Sequence, residues 1–273
     1  MKKYLIILAF VLAPFGSMQA SADTLTFSIV PQQSASKLAK LWTPILDYLS
    51  QQSGVQLQFS TAKNIPTFEE RLAAGRYDFA YMNPYHYTVF SQTPGYQAVA
   101  RQKDKKIKGI VVVRRDSTLT DLAELDGEQL AFPSPAAFAA SVLPRAKLKR
   151  DNIHFEPSYV SSHDSVYLGV SRGLFQAGGG VMRTFNNTDP AVRENLKVLW
   201  TTRTYTPHAI AVHPRVPADV VARVREALVG MNKDPRGQAL LKTINFKGMQ
   251  AASDSDWNDV RGLGIALLQD LIE

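Results

Sequence analysis

The sequence predicts an α/β protein built as two lobes joined by two chain crossings. Three observations carry this. Short β-rich runs alternate with amphipathic helical runs, the alternation occurs twice in succession, and a late β-rich run follows the second block as a return to the first.

The first block opens with a β-rich run at residues 24–30. Residues 36–52 follow as a helix, because Leu38, Leu41, Trp42, Ile45, Leu46 and Leu49 recur at the spacing of one buried face, and Gly54 ends it. Residues 55–60 alternate as a strand. Residues 67–74 read as a short helix with Thr67 and Glu70 at capping-box spacing, closed by Gly75. Phe79-Ala80-Tyr81-Met82 is the third strand. Such a βαβαβ order implies right-handed crossovers and a parallel sheet with helices on both faces.

In the second block, residues 108–114, 129–132, 154–160 and 178–182 read as strands, with helices at 119–125, 137–150 and 162–172. Residues 196–200 and 208–213 are strand-like, and the second of these leads back to the first lobe. Amphipathic helices at 218–231 and 254–271 finish the chain. The predicted division is a first lobe at 23–107, a second at 108–205, and a return to the first at 206–273. A ligand belongs in the cleft between them, where domain interfaces and the carboxyl ends of parallel strands form pockets.

Ahead of the lobes, Lys2 and Lys3 precede an apolar stretch from Tyr4 to Phe15 and an Ala20-Ser21-Ala22 small-residue site. This is the pattern of a secretory signal peptide cut after Ala22. The stretch is short for a bilayer, is interrupted by Pro14 and Gly16, and has no stop-transfer charges after it, which argues against a retained anchor. The chain has no cysteine, so neither disulfides nor a lipid-modified cysteine tether it. Removing 22 of 273 residues leaves 251, enough for a self-sufficient core. Losing Lys2 and Lys3 lowers the formal charge from +7 to +5. The basic residues are dispersed, with no run more compact than that between Lys103 and Lys108, so nucleic acid is not an expected partner. The balance fits a small anionic ligand and a negatively charged membrane face equally.

Catalysis is not expected. His86, His154, His163, His208 and His213 fall on different elements and form no metal-ligand pattern, no G-x-S-x-G elbow occurs, and no cysteine nucleophile exists. Neither a metal nor a cofactor is implied. One stretch stands out instead, "YDFAYMNPYHYTVF" at residues 77–90. Phe79 and Phe90 read as core. Tyr85, His86 and Tyr87 follow an Asn83-Pro84 turn at the carboxyl end of a strand, and are expected to wall a pocket, since turns lie at surfaces and buried phenols need partners.

The order "RLAAGRYDFAYMNPYHY", "IVVVRRDSTLTDLAELDGEQLAFPSP", "VSSHDSVYLGVSRGLFQAGGGV" and "KVLWTTRTYTPHAIAVHPRVPADV" resembles the phosphate, phosphite and phosphonate-binding (PhnD-like) receptors of ABC importers. The resemblance covers most of the chain after residue 22. It implies a type II periplasmic-binding-protein fold whose two α/β lobes close around a small oxyanion, and a monomer that delivers the solute to an ABC permease. A membrane-bound sensor is the alternative partner. On this resemblance the ligand-binding residues include Asn83, Tyr85 and Tyr87, with His86 beside them, and His163 and Asp164 at the start of a second-lobe helix. Ser161 or Ser162 can cap that helix and leave its first N–H groups free for an anion. The first-lobe loop from Gln32 to Ser36 completes the expected contacts.

Two departures from the family pattern bear on the ligand. A Ser-Thr-Ser-Gly run that binds phosphonate oxygens in many relatives is replaced by Ser134-Pro135-Ala136-Ala137-Phe138-Ala139-Ala140. Ser134 and the helix-start amides around Ala137, Phe138 and Ala139 remain, but two or three hydroxyl donors worth about 1.5–3 kcal/mol each are absent. This loss brings a larger, more aromatic or less charged ligand into consideration beside the small oxyanion that the resemblance implies. Gln176 also stands where the family carries aspartate, a neutral amide able to donate to an anion.

Overall fold

The computed structural model describes residues 24–273, so the signal peptide expected at 1–22 lies outside the described residues. The first lobe contains β1 (Leu25–Ile29), α1 (Ala35–Ser53), β2 (Leu57–Ser60), α2 (Ile65–Ala73), β3 (Phe79–Met82), α3 (Pro84–Phe90) and β4 (Gln97–Gln102). The chain then crosses to β5 (Gly109–Arg114), β6 (Glu128–Phe132), α4 (Leu143–Arg150), β7 (Phe155–Tyr159), α5 (His163–Ser171), β8 (Ala177–Val181), α6 (Met182–Asn186), α7 (Pro190–Arg193) and β9 (Leu196–Thr201). It returns through β10 (Ala209–Val212), α8 (Ala218–Gly230), α9 (Pro235–Thr243), β11 (Met249–Ala251) and α10 (Asn258–Arg261).

The two sheets follow one plan. The first runs β11-β4-β10-β3-β1-β2 and the second β7-β6-β8-β5-β9. In each, a strand arriving from the other lobe inserts antiparallel between the lobe's own third and fourth strands: β10 between β3 and β4, and β5 between β8 and β9. The two crossing segments run side by side, and Ile107 and Tyr205 exchange both backbone hydrogen bonds at 2.8 and 3.1 Å. This pairing makes the crossings one hinge. The predicted two-lobed α/β architecture is the one observed. Among the described residues no helix is long and apolar enough to cross a membrane.

Packing of the first lobe is aromatic and leads toward the cleft. Phe27 stacks on Phe79 at 5.8 Å, Trp42 of α1 packs on Phe27 at 6.3 Å and on Tyr81 at 5.0 Å, and Tyr81 stacks on His208 at 4.9 Å. The face of α1 predicted from its spacing is buried at Leu38, Trp42, Ile45, Leu46 and Leu49. Its end is Gly54 in the left-handed region, φ 66°, where a Cβ is disfavoured. α2 begins earlier than its spacing implied, because Asn64 caps it by accepting the Thr67 N–H at 2.9 Å.

Three sequence expectations are corrected. Residues 83–90 are not an open turn but α3, with Asn83 as the N-cap and Pro84 in the first turn. The single helix expected at 254–271 is a short 3-10 turn (Asp254–Trp257), α10 and an irregular tail, interrupted at Gly262 and at Gly264, whose φ is +60°. The helix expected from residue 137 opens as a wide π-type turn, Phe138–Val142, before α4 begins.

That wide turn rests on glycines. A Cβ at Gly109 would overlap the Ala139 carbonyl, and one at Gly179 would overlap the Ala140 carbonyl and stand 2.7 Å from the Phe132 ring. Gly109 and Gly179 thus let the start of the α4 segment lie directly on the sheet, while Gly178 and Gly180 make room for Val166 and Tyr167 of α5. Gly179→Ala is expected to cost about 1–3 kcal/mol by overpacking. The measurement is the denaturant midpoint, with the wild-type m value retained.

Candidate functional site

Parallel strands in both sheets deliver their carboxyl ends to the same gap. β1 leads to Gln32, β3 to Asn83, β6 to Ser134, β7 to the Ser162-His163 helix start, and β8 to Arg183. Because β10 runs antiparallel to β3, with Ala209 opposite Met82, it presents its amino end there, and His208 joins the gap. A cavity of about 250 Å³ opens beside the hinge, lined by Tyr81, Lys106, Lys108, Met182, Arg183 and His208 among others.

Lobe-to-lobe contacts close the gap on its far side. The His163 backbone N–H donates to the Gln32 carbonyl at 2.9 Å, and Asn83 Nδ2 donates to the Ala136 carbonyl at 3.3 Å. Gln33 donates to Asp164 at 3.3 Å, Lys37 donates to the Asn187 carbonyl at 2.6 Å, and Arg183 donates to the Gln32 side chain. Lys37 also lies 3.9 Å from Asp164.

Inside, the groups are arranged around one cation. Arg183 has no carboxylate within ion-pair distance among the described residues. His163 is 1 % exposed and His208 3 %, and the Nε2 atom of each has no hydrogen-bond partner. Burial, reinforced by the Arg183 charge, lowers the His163 pKa to about 3, so its imidazole is neutral throughout the physiological range. Burial and then Arg183, His86 and His163 hold His208 well below the usual histidine value. The phenol of Tyr81 is raised by burial, against the pull of Arg183, and stays protonated. Ser134 adds a buried hydroxyl with no partner. A positive charge surrounded by neutral polar groups without partners offers an anion both charge compensation and hydrogen bonds.

The sequence-predicted residues divide sharply. Asn83 bridges the lobes to Ala136, and His163 and Ser134 follow the strand ends as buried residues with an unpartnered Nε2 and Oγ, behind the residues that line the cavity. Ser162 caps α5, accepting the Ser165 N–H at 3.1 Å, while Ser161 is exposed with φ +71° and serves the turn. Asp164 engages Gln33 and Lys37 across the lobes. Ala137, Phe138 and Ala139 are buried at the start of the wide turn, where the first N–H groups have no intrahelical acceptor. The Phe138 ring packs on Tyr205 of the hinge, 5.3 Å away.

The aromatic wall is overturned. Tyr85 is buried with its hydroxyl accepting the Leu268 N–H at 3.0 Å, and Tyr87 donates to Asp254 at 2.9 Å while packing on Trp257 at 4.4 Å. His86 is fully buried and its Nε2 lies 2.7 Å from Glu69. Tyr85 and Tyr87 clamp the C-terminal segment onto the first lobe, and His86 ties α3 to α2. Gln176 is also misplaced by the sequence reading: it is exposed before the amino end of β8, the end away from the gap.

Sequence reasoning missed Arg183, Tyr81 and His208 as site residues. Arg183 was within reach, since it directly follows the predicted strand at 178–182 and carboxyl strand ends form the crevice. His208 required knowing that β10 inserts antiparallel.

Fold and gap together define a two-lobed, type II periplasmic binding protein. Residues 27–257 match the family described as the periplasmic substrate-binding protein of phosphonate ABC transporters, and the chain belongs to that family. Its members are binding components of transporters, not enzymes. The phosphate-import protein PhnD of Mycolicibacterium smegmatis is 21% identical over 237 residues, covering 74% of this chain and 70% of that protein. Two solved structures share the fold. PhnD1 from Prochlorococcus marinus, in complex with methylphosphonate, has a TM-score of 0.80 at 18% identity, covering 88% of this chain and 97% of that one. A binding-protein component of an ABC phosphonate transporter from Pseudomonas aeruginosa has a TM-score of 0.82 at 15% identity, covering 92% and 88%.

Proposed function

We propose that this protein, exported by a signal peptide over residues 1–22, captures a small phosphonate-, phosphate- or phosphite-like oxyanion by hinge closure and hands it to an ABC permease. The single observation that carries the reading is Arg183, a guanidinium facing buried polar groups with no acidic partner among the described residues. Family membership supports the transporter partner, and the cavity of about 250 Å³ favours a small solute over the larger or more aromatic one that the lost serine run suggested. Ser134, Tyr81, His163, His208 and the amides at Phe138–Ala140 are the proposed contacts, with Asn83, Asp164 and Gln32 closing the lobes. The proposed division remains 23–107 and 206–273 for one lobe and 108–205 for the other.

Closure follows from differential contact. A ligand touching Tyr81 and His208 on one lobe and Arg183, His163 and Ser134 on the other favours only the closed population. Thermal-shift measurements on the protein lacking residues 1–22 test this, with phosphate, phosphite, methylphosphonate, sulfonates and carboxylates as probes. At one hundred times its dissociation constant a true ligand stabilises by about 2.7 kcal/mol. A raised melting point with the phosphorus oxyanions and none with carboxylates is expected. No shift with any of the anions would overturn the reading.

A further inference from the structure

His163 carries a feature that its role as an anion contact does not explain. Its Nδ1 lies 3.0 Å from Thr184 Oγ1, and its Nε2, buried near Arg183 and His208, has no partner. Which nitrogen bears the proton is decided by the hydroxyls behind it. Thr184 Oγ1 lies 2.9 Å from the Val181 carbonyl, and the Tyr167 hydroxyl lies 2.9 Å from Thr184 Oγ1 but 3.2 Å from that carbonyl. The Val181 N–H donates to Tyr167 at 3.1 Å, so one lone pair of the phenol is occupied.

A carbonyl only accepts, and each hydroxyl has one proton. The shorter route satisfies every group: Thr184 donates to Val181, Tyr167 donates to Thr184, and Thr184 accepts a second hydrogen bond from Nδ1–H of His163. In the neutral ring Nε2 is then a lone pair. The gap therefore presents an acceptor where an anion oxygen would approach, and a bare oxyanion against a bare lone pair is repulsive.

We infer that the gap takes its oxyanion with one proton attached, that proton lying between a ligand oxygen and Nε2 of His163, so that the singly charged species is bound. The inference deepens the proposed function and rests on it. Charge balance points the same way. Arg183 on α6 is a half-buried cation beside His163; Lys37 on α1 is engaged by Asp164 and Asn187, and Lys106 by Asp259 and Thr206. Lys105 and Lys108 are exposed, where solvent weakens their pull. The other titratable groups near the ring are Tyr167 on its own helix and His208 from the first lobe, neither carrying charge, and Asp164, turned toward Gln33. With a neutral imidazole already present, the proton comes from the ligand. A phosphate monoester loses its second proton at pH ~6, an alkylphosphonate somewhat higher.

The sign is fixed by the ligand. Affinity is full below the ligand's second ionisation and falls as pH rises through it, because the dianion must recover a proton to bind. Calorimetric titrations of methylphosphonate from about pH 5.5 to about pH 8.5 should show affinity dropping tenfold per pH unit above that ionisation, with one proton taken up per complex when two buffers of different ionisation enthalpy are compared. Methanesulfonate, of similar shape and singly charged but with no proton to place on Nε2, should bind far more weakly than methylphosphonate at about pH 5.5, and equal affinity for the two at that pH overturns the inference. His163→Asn should flatten the methylphosphonate slope, since a carboxamide can turn an N–H toward the ligand. Flat or rising methylphosphonate affinity in the wild type overturns the inference while leaving the receptor reading intact, and a full slope retained in His163→Asn overturns the assignment to His163. Absence of binding by any phosphorus oxyanion at every pH overturns the receptor reading itself and this inference with it.

Discussion

Arg183→Met is expected to reduce affinity for the bound oxyanion by about 100- to 1,000-fold, the equivalent of roughly 3–4 kcal/mol. The guanidinium supplies two kinds of attraction at once. Charge-assisted hydrogen bonds contribute about 1.5–3 kcal/mol each, and a planar fork can make two of them to one phosphorus centre. Little else in the gap replaces the charge: Lys106 is engaged by Asp259, Lys105 and Lys108 are exposed, and burial and the same guanidinium keep His163 and His208 neutral. The substitution also removes the donor to the Gln32 side chain, so closure loses one of its contacts. Stability without ligand should hold or rise slightly, since a half-buried cation with no acidic partner is itself costly. Calorimetric affinity and the melting point of the ligand-free protein separate the two effects. Retention of wild-type affinity would remove Arg183 from the binding machinery.

The second large effect lies in the core of the first lobe. Tyr85→Ala is expected to destabilise the ligand-free protein by about 3–5 kcal/mol, the range for truncating a buried aromatic side chain. The ring is 2 % exposed, and its hydroxyl is the acceptor for the Leu268 N–H, so the cavity and the lost hydrogen bond fall together under the C-terminal segment. Tyr85→Phe keeps the ring and should cost only about 1–2 kcal/mol, the share of the unmade hydrogen bond. Chemical denaturation of the three proteins measures the series. An unchanged midpoint for the alanine variant, with ligand binding lost, would return Tyr85 to the gap.

This reversal shows what the sequence could convey. Helical faces such as Leu38 to Leu49 and the strands β1, β3 and β6 were legible because burial imposes a period on nearby residues. Asn83-Pro84 was ambiguous: the same pair that opens a turn also forms an ideal cap and first residue of a helix, and α3 used it as the latter. Deciding between pocket and core needed the partners of the tyrosine hydroxyls, which lie 183 and 167 residues further along the chain. His208 failed for a related reason. Its position depends on β10 inserting antiparallel beside β3, a pairing across 126 residues of chain from Met82 to His208 that no local pattern encodes. His163 and Ser134 were reached through family resemblance, and the lone pair at Nε2 emerged only from the hydroxyls of Thr184 and Tyr167 behind it.

The bond from the His163 amide to the Gln32 carbonyl belongs to the backbone, so exchanging either side chain leaves both atoms of that clasp in place. The jaws can therefore keep shutting while evolution rewrites what they bite. A lineage could trade Ser134, Tyr81 or His208 for other residues and acquire a new nutrient without having to reinvent the snap that holds it.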